Sequence, residues 1–380
     1  MVAFGRRRFL QVSSVGAGAL AIGGLAALST AGDPADERLP DANGLLLPPS
    51  FASRIIATTG MVVAGTDHTW HPFPDGGACF ALPDGGWSYV SNSEDRPGGV
   101  GYVRFDADAT IVDAGRCLDG TVRNCAGGTT PWDTWLSCEE YDRGMVYECH
   151  PIGAVPAVAR SAMGRFRHEA AACHEPTQTV YMTEDHPDGG FYRFIPDIWG
   201  ELGSGTLEIL TEPDTGTLEW VTVPDPDATD THTKDQVSRT KRFDGGEGID
   251  ITNDQGVVFT SKGDNRVWRY DPAAHDLSVV YDHDVAVNGV LSGVDNLEVS
   301  PAGAIYVAED GGDMQIVLVH PDGSTFPVVE VPGVPESEIT GPAFDPSGTR
   351  LYFSSQRDPG MTFEVTGNWT ALTRPVTLGG

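Results

Sequence analysis

Asp295-Asn296-Leu297-Glu298-Val299-Ser300-Pro301-Ala302-Gly303-Ala304-Ile305-Tyr306-Val307-Ala308-Glu309-Asp310 reads as one short β-hairpin. A first run leads into the turn Ser300-Pro301-Ala302-Gly303. A β-branched and aromatic run follows and ends in two acids. Five other stretches share this plan. Their first runs begin near Ala78, Cys125, Glu169, Glu247 and Gly341. Their second runs end at Glu94, Cys138-Glu139-Glu140, Glu184-Asp185, Lys262 and Gln356-Arg357. Successive starts are 47, 44, 78, 48 and 46 residues apart. A period of about 40 to 50 residues built from short strands is that of a propeller blade. The spacing predicts an all-β, six-bladed β-propeller, with acids at matching ends converging on its axis. Such convergence calls for cations.

The other strands fit the same frame. Gly86-Trp87-Ser88-Tyr89-Val90 and Gly256-Val257-Val258-Phe259-Thr260 follow the turns Leu82-Pro83-Asp84-Gly85 and Asn253-Asp254-Gln255-Gly256. A third strand recurs as Tyr102-Val103-Arg104-Phe105, Phe191-Tyr192-Arg193-Phe194 and Val267-Trp268-Arg269-Tyr270. No amphipathic helix of 12 or more residues is evident after the N-terminal segment. A pair of β-sandwiches is the rival fold, but it needs no repeat of constant length. The chain reads as one propeller domain over 47–380, after a linker at 32–46. The long spacing of 78 marks an insertion between blades three and four, at about 196–241.

The first 31 residues read as a twin-arginine export signal. Arg6-Arg7-Arg8-Phe9-Leu10-Gln11 precedes the weakly apolar run Val12 to Leu28, and Ser29-Thr30-Ala31 offers small residues for cleavage. A retained membrane anchor is the other reading of that run. The expectation is passage through the twin-arginine translocase to an extracellular, periplasmic or wall-associated place. No stable membrane insertion is expected after cleavage, and the mature chain is expected to act as a monomer. Lys and Arg number 24 against 54 Asp and Glu, a net charge of −30. Phosphate backbones would be repelled, so nucleic acid is excluded as a partner. The acidity suits cation binding, although solubility alone would also account for it.

Several acids sit in apolar surroundings. Glu184 follows Val180-Tyr181-Met182-Thr183, Glu309 follows Ile305-Tyr306-Val307-Ala308, and Glu247 precedes Gly248-Ile249. A buried carboxylate needs a partner or a metal, and there are too few Lys and Arg to pair them all. Alternate residues of a strand face opposite sides, so only one of each adjacent acid pair points inward. The six cysteines contain no Cys-x-x-Cys pair, which argues against a zinc ribbon. Cys117 with Cys125, and Cys149 with Cys173, are near enough in sequence to pair. Cys138, beside two acids, reads as a metal ligand or as a buried unpaired cysteine.

One block carries a family resemblance: Asn124-Cys125-Ala126-Gly127-Gly128-Thr129-Thr130-Pro131-Trp132-Asp133-Thr134-Trp135-Leu136-Ser137-Cys138-Glu139-Glu140. With Trp70-His71, Ser91-Asn92-Ser93-Glu94, Arg167-His168-Glu169, Thr183-Glu184-Asp185 and Asp295-Asn296-Leu297, it resembles the PhoX-type alkaline phosphatases. The resemblance spans about 47–363. It implies a phosphomonoesterase acting on a small phosphoester, with Fe3+ and Ca2+ held by acids on the propeller axis. Cys138 and Glu247 look like iron ligands. Glu94, Glu139, Glu140, Glu169, Glu184, Asp295 and Glu309 are candidates for the other metal positions. The resemblance also implies a phosphate-gripping Arg two residues before Glu247, where this chain has Gly245. A first-blade His is replaced by Ser93. Arg357 and Lys262 are the candidate substitutes for the missing cationic group. A calcium-binding propeller of other use, lactonase-like or non-catalytic, is the alternative reading.

Overall fold

The computed structural model describes residues 38–372, except 215 and 288. The expected export signal at 1–31 lies outside the described residues. Six antiparallel sheets form the molecule. Their innermost strands are Pro74–Ala81, Asn124–Thr129, His168–His174, Gly246–Ile251, Val294–Val299 and Ile339–Phe344. Each packs against the innermost strands of both neighbouring sheets, so the six close into a ring. This is the predicted six-bladed propeller. Each innermost strand turns back into a second strand, and these end at Ser93, Glu139, Glu184, Ser261, Glu309 and Ser355.

The ring is closed by chain ends that are far apart in sequence. Ala52–Thr58 pairs antiparallel with Met361–Thr366 and supplies the outer strand of blade six. Closure removes a free sheet edge at that seam. Arg54 bonds Glu364 across it at 2.7 Å, and Thr340 Oγ1 donates to the carbonyl of Pro74 in blade one at 2.8 Å. The tail before this strand is not all linker. Leu39–Pro40 pairs with Leu46–Leu47, and Leu46 pairs with Glu330 on the edge of blade five. Leu45 and Leu47 are buried there.

Blade three has five strands where the propeller repeat needs four. Phe191–Ile198 and Glu201–Thr211 are long, and Glu219–Thr222 adds an outer strand. The connection that follows returns to the blade, and Tyr192 OH meets Thr233 Oγ1 at 2.9 Å. This extension accounts for the long spacing between Glu169 and Glu247. Among the described residues no helix is long and apolar enough to cross a membrane.

The core lies between neighbouring blades. Phe191 stacks on Phe259 at 4.5 Å, and Tyr89 on Tyr352 at 5.0 Å. Each such buried side chain contributes roughly 1.5–3 kcal/mol. Near the axis the strands approach so closely that side chains are excluded. A Cβ on Gly128 would lie 1.6 Å from the carbonyl oxygen of Ala171 in the next blade. That contact explains why Gly127-Gly128 interrupts an otherwise strand-like sequence.

Candidate metal centre

All six innermost strands break register near their start. The breaks fall between Pro74 and Gly77, Asn124 and Gly127, His168 and Ala171, Gly246 and Ile249, Val294 and Leu297, and Thr340 and Ala343. Two residues there oppose one residue of the second strand, which is a β-bulge. The first bulged residues are Asp75, Cys125, Glu169, Glu247, Asp295 and Gly341. The second strand supports the bulge of the next blade. Asn92 Nδ2 donates to the carbonyls of Cys125 and Ala126, Thr183 Oγ1 to that of Glu247, and Thr260 Oγ1 to that of Asp295. The bulges are thus fixed from behind, and five of the six present a metal-ligating side chain.

Those side chains come together. Asp75, Glu94 and Cys125 place one donor atom each within 4.8 Å of one another. Glu169, Glu247 and Asp295 do the same, as do Asp295, Asp310 and Glu338. Asp295 belongs to two of these groups and joins them. The residue just beyond the second strand also faces this centre in all six blades: Glu94, Glu140, Asp185, Lys262, Asp310 and Gln356. Arg123 bridges Glu94, at 2.6 Å, to Glu140. Lys262 Nζ lies 3.0 Å from Asp310, 3.4 Å from Glu247 and 3.5 Å from Asp295. Gln356 donates to Asp75 at 2.6 Å and to Glu94 at 3.1 Å.

The structure separates the adjacent acid pairs by strand alternation. Glu139, Glu184 and Glu309, each the last residue of a second strand, face away from the metal groups and hold their own loops. Glu139 accepts from the amides of Val122 and Met145. Glu184 accepts from the amide of Gly190 and from Tyr192 OH, both at 2.8 Å. Glu309 accepts from the amides of Ser292 and Gln315. Burial pushes the carboxyls of Glu184 and Glu309 up to about 7, while these bonds pull the other way. Their partners Glu140, Asp185 and Asp310 are the inward members. Cys138 is also not brought to the centre. It is fully buried in the apolar layer between blades two and three, with Leu136, Val146, Met163 and Phe166. The cysteine of the metal groups is Cys125.

Of the expected ligands, then, Glu94, Glu140, Glu169, Glu247 and Asp295 line the centre, and Cys138, Glu139, Glu184 and Glu309 do not. Lys262 lies within it. Arg357 sits at its edge, paired with Glu338 at 2.5 Å. Asp75, Cys125, Asp185, Asp310, Glu338 and Arg123 were not among the expected residues. The bulge register hid Asp75 and Cys125. The alternation rule, applied strictly at each hairpin end, would have selected Asp185 and Asp310. His71 and His168, the histidines nearest the family motifs, are packed neutral rings. His71 Nε2 meets the carbonyl of Asn92 at 2.9 Å, and His168 stacks on Phe166 at 3.6 Å. All six cysteines are free thiols, so neither sequence-near pair is bridged.

Charge at the centre is unbalanced. Among the described residues, the nine acids Asp75, Glu94, Glu140, Glu169, Asp185, Glu247, Asp295, Asp310 and Glu338 form ion pairs only with Arg123, Lys262 and Arg357, and Arg167 adds its charge near Glu140 and Asp185. Both carboxylate oxygens of Glu169 are buried without a hydrogen-bond partner. Glu247 Oε1 also makes no hydrogen bond and has Lys262 as its one near cation. Burial pushes the carboxyls of Asp75 and Glu169 well above the usual range, and the surrounding carboxylates add to the shift. Burial does the same to Glu247, which Lys262 partly offsets. Burial raises the Cys125 thiol, and Asp75 and Glu169 raise it further. A buried carboxylate without a partner must be protonated or meet a cation. The donors fit metal ions. The carboxylate groups suit a hard ion such as Ca2+. A thiolate among carboxylates suits iron.

Below the bulges the bore opens into a cavity of about 410 Å³, lined by Gly76, Ala126, Ala170, Gly248, Asn296 and Pro342 among others. These are the second bulged residues. Five of the six bulges therefore send their first side chain into the metal centre, and all six set their second residue at the cavity wall.

A family model described as alkaline phosphatase PhoX matches residues 97–153 and 142–360. Among solved structures the chain is similar to Pseudomonas fluorescens PhoX in complex with vanadate, a transition state analogue. The two share 16% identity at a TM-score of 0.72, over 87% of this chain and 97% of that one. It is also similar to a putative gluconolactonase, with 12% identity and a TM-score of 0.52 over 85% of this chain and 94% of that one. A protein of unknown function from Bacteroides thetaiotaomicron gives 11% identity and a TM-score of 0.52, over 83% and 76% of the two chains. At these identities the structural likeness shows the propeller fold alone. No curated protein matches the sequence.

Proposed function

The chain belongs to the alkaline phosphatase PhoX family and is a phosphoric monoester hydrolase by that membership, and from this premise we propose that it is an exported phosphomonoesterase with calcium and iron on the propeller axis. The observation that carries the metal reading is Glu169, fully buried with neither oxygen partnered, beside Glu247 and Asp295. Asp75, Glu94 and Cys125 would hold iron. Glu169, Glu247 and Asp295 would hold calcium. Cations bound there neutralise the phosphate charge and polarise the phosphoryl oxygens.

The remaining work falls to side chains of this chain. Arg123 lies two residues before Cys125, as Gly245 lies two residues before Glu247, and both adopt positive φ, 49° and 69°. The cationic group absent at Gly245 is thus present at the matching place in blade two. The Arg123, Lys262 and Arg357 side chains are each about one-third exposed at the mouth of the centre. They are the groups available to meet a phosphate monoester and orient it, and Arg123 and Arg357 offer guanidinium forks. The residues 1–31 support export in a folded, metal-loaded state. The centre is complete within one chain, which supports action as a monomer. The lactonase-like alternative has only the shared fold behind it.

The test is hydrolysis of p-nitrophenyl phosphate by purified protein of measured calcium and iron content at neutral to alkaline pH. Turnover is expected in the loaded protein and is expected to disappear on chelation. A protein shown to hold both metals that leaves the ester intact overturns the proposal.

A further inference from the structure

The metal centre carries one cationic side chain at a ring position that holds acids in four of the other five blades. Beyond the second strand, blades one, two, three and five place Glu94, Glu140, Asp185 and Asp310, blade six places Gln356, and blade four places Lys262. The Lys262 ammonium is within 3.0–3.5 Å of three carboxylates on two blades: Glu247 of its own blade, and Asp295 and Asp310 of blade five. Glu338 of blade six joins Asp295 and Asp310 in one donor group. Such a position, surrounded by hard oxygen donors, is one a divalent ion would take.

The three donor groups are unequal in cations. Asp295, Asp310 and Glu338 already have Lys262 on two members and Arg357 on the third. In the group of Glu169, Glu247 and Asp295, Lys262 also reaches two members, but the third, Glu169, has no partner at all. Gly245 leaves room for this arrangement. A Cβ there would stand 3.6 Å from Lys262 Cβ and 3.2 Å from Asp185 Oδ1, so a longer side chain would compete for the same space.

We propose that Lys262 is a resident cation of the centre, standing in place of one divalent ion against Glu247, Asp295 and Asp310. Metal then loads at Asp75, Glu94 and Cys125 and at Glu169, Glu247 and Asp295, but not at Asp295, Asp310 and Glu338. The inference rests on the metal reading given above, and it adds which group stays empty and why. A tethered ammonium needs no free ion and holds its place when ambient calcium falls.

The test is the number of calcium ions bound per chain, measured by equilibrium dialysis with elemental analysis on the purified full chain. Wild type and Lys262→Arg should bind the same number. Lys262→Gln and Lys262→Met should bind one more, because three carboxylates lose their cation. If either neutral variant unfolds in chelator, its melting temperature is titrated with calcium. Rescue by calcium at a concentration where wild type no longer responds supports the proposal, and failure of calcium to rescue overturns it. An unchanged count in the neutral variants also overturns it, while leaving the metal reading intact. A wild-type protein that binds no calcium or iron overturns the metal reading itself and this inference with it.

Discussion

Stripping metal from the protein should make its stability fall with rising pH, which is opposite to the usual behaviour of a fold with paired acids. The carboxyls of Asp75, Glu169 and Glu247 are held well above their ordinary values, first by burial and then by one another. Ordinary values are 3.8 for Asp and 4.5 for Glu. Between those values and the raised ones, the folded chain binds more protons than the unfolded chain. Stability is then greatest below the ordinary pKa and is lost as pH rises toward the folded one. Each such group costs the fold about 1.4 kcal/mol per pH unit over that window. Through Glu169, whose oxygens have no other partner, the fold loses stability at that slope from the ordinary value upward. Asp75 and Glu247 act in the same direction, although shared protons keep the three from adding in full. At that slope each pH unit removes a sizeable fraction of the roughly 5–15 kcal/mol that holds a domain folded. The assay is urea denaturation of chelated protein at pH 5, 6, 7 and 8, repeated with saturating calcium. The chelated protein should weaken steadily, and calcium should flatten the curve because it binds only the folded chain. Glu169→Gln should reduce the slope of the chelated protein. A chelated protein whose stability is flat or rises over this window would refute the reasoning.

Other outcomes follow from the same geometry. Cys125→Ser should lower bound iron several-fold with little change in melting temperature, whereas Cys138→Ala should leave metal content unchanged and cost roughly 1 kcal/mol as a small void in the core; elemental analysis and denaturation separate the two. Asp185→Asn should weaken calcium binding measurably by titration calorimetry, while Glu184→Gln, one residue earlier, should leave the calcium affinity within experimental error. Gly128→Ala should destabilise by more than about 3 kcal/mol, because its Cβ would collide with the Ala171 carbonyl and force blades two and three apart; a thermal melt reads this directly.

The blade count was legible because a propeller repeats one hairpin, and repetition survives in sequence even when single strands are ambiguous. The extension of blade three was legible as an excess in one interval. Five of the nine expected metal ligands lie at the centre, and of the four that do not, Glu139, Glu184 and Glu309 share one cause. A strand's period of two sends neighbours to opposite faces, so a one-residue choice at each hairpin end decides between Glu139 and Glu140, Glu184 and Asp185, and Glu309 and Asp310. Hydrophobic context pointed to Glu184 and Glu309, the members that face their own loops. Each of those acids is buried by its own loop, and its charge is met by two donors there.

Cys125 and Cys138 show what the linear chain leaves undecided. Both lie in one motif; Cys138 is the one beside acids in sequence, and Cys125 is the one that reaches the metal groups. The sequence by itself determined the class of fold, the number of blades, and an acid-rich centre in need of cations. The tertiary structure decided which side chains meet there, because that depends on the bulges. A bulge adds one residue opposite a partner strand and re-aims every side chain at that point. It is specified by contacts from the neighbouring blade, such as Asn92 on Cys125 and Thr183 on Glu247, and those neighbours are joined only when the ring closes.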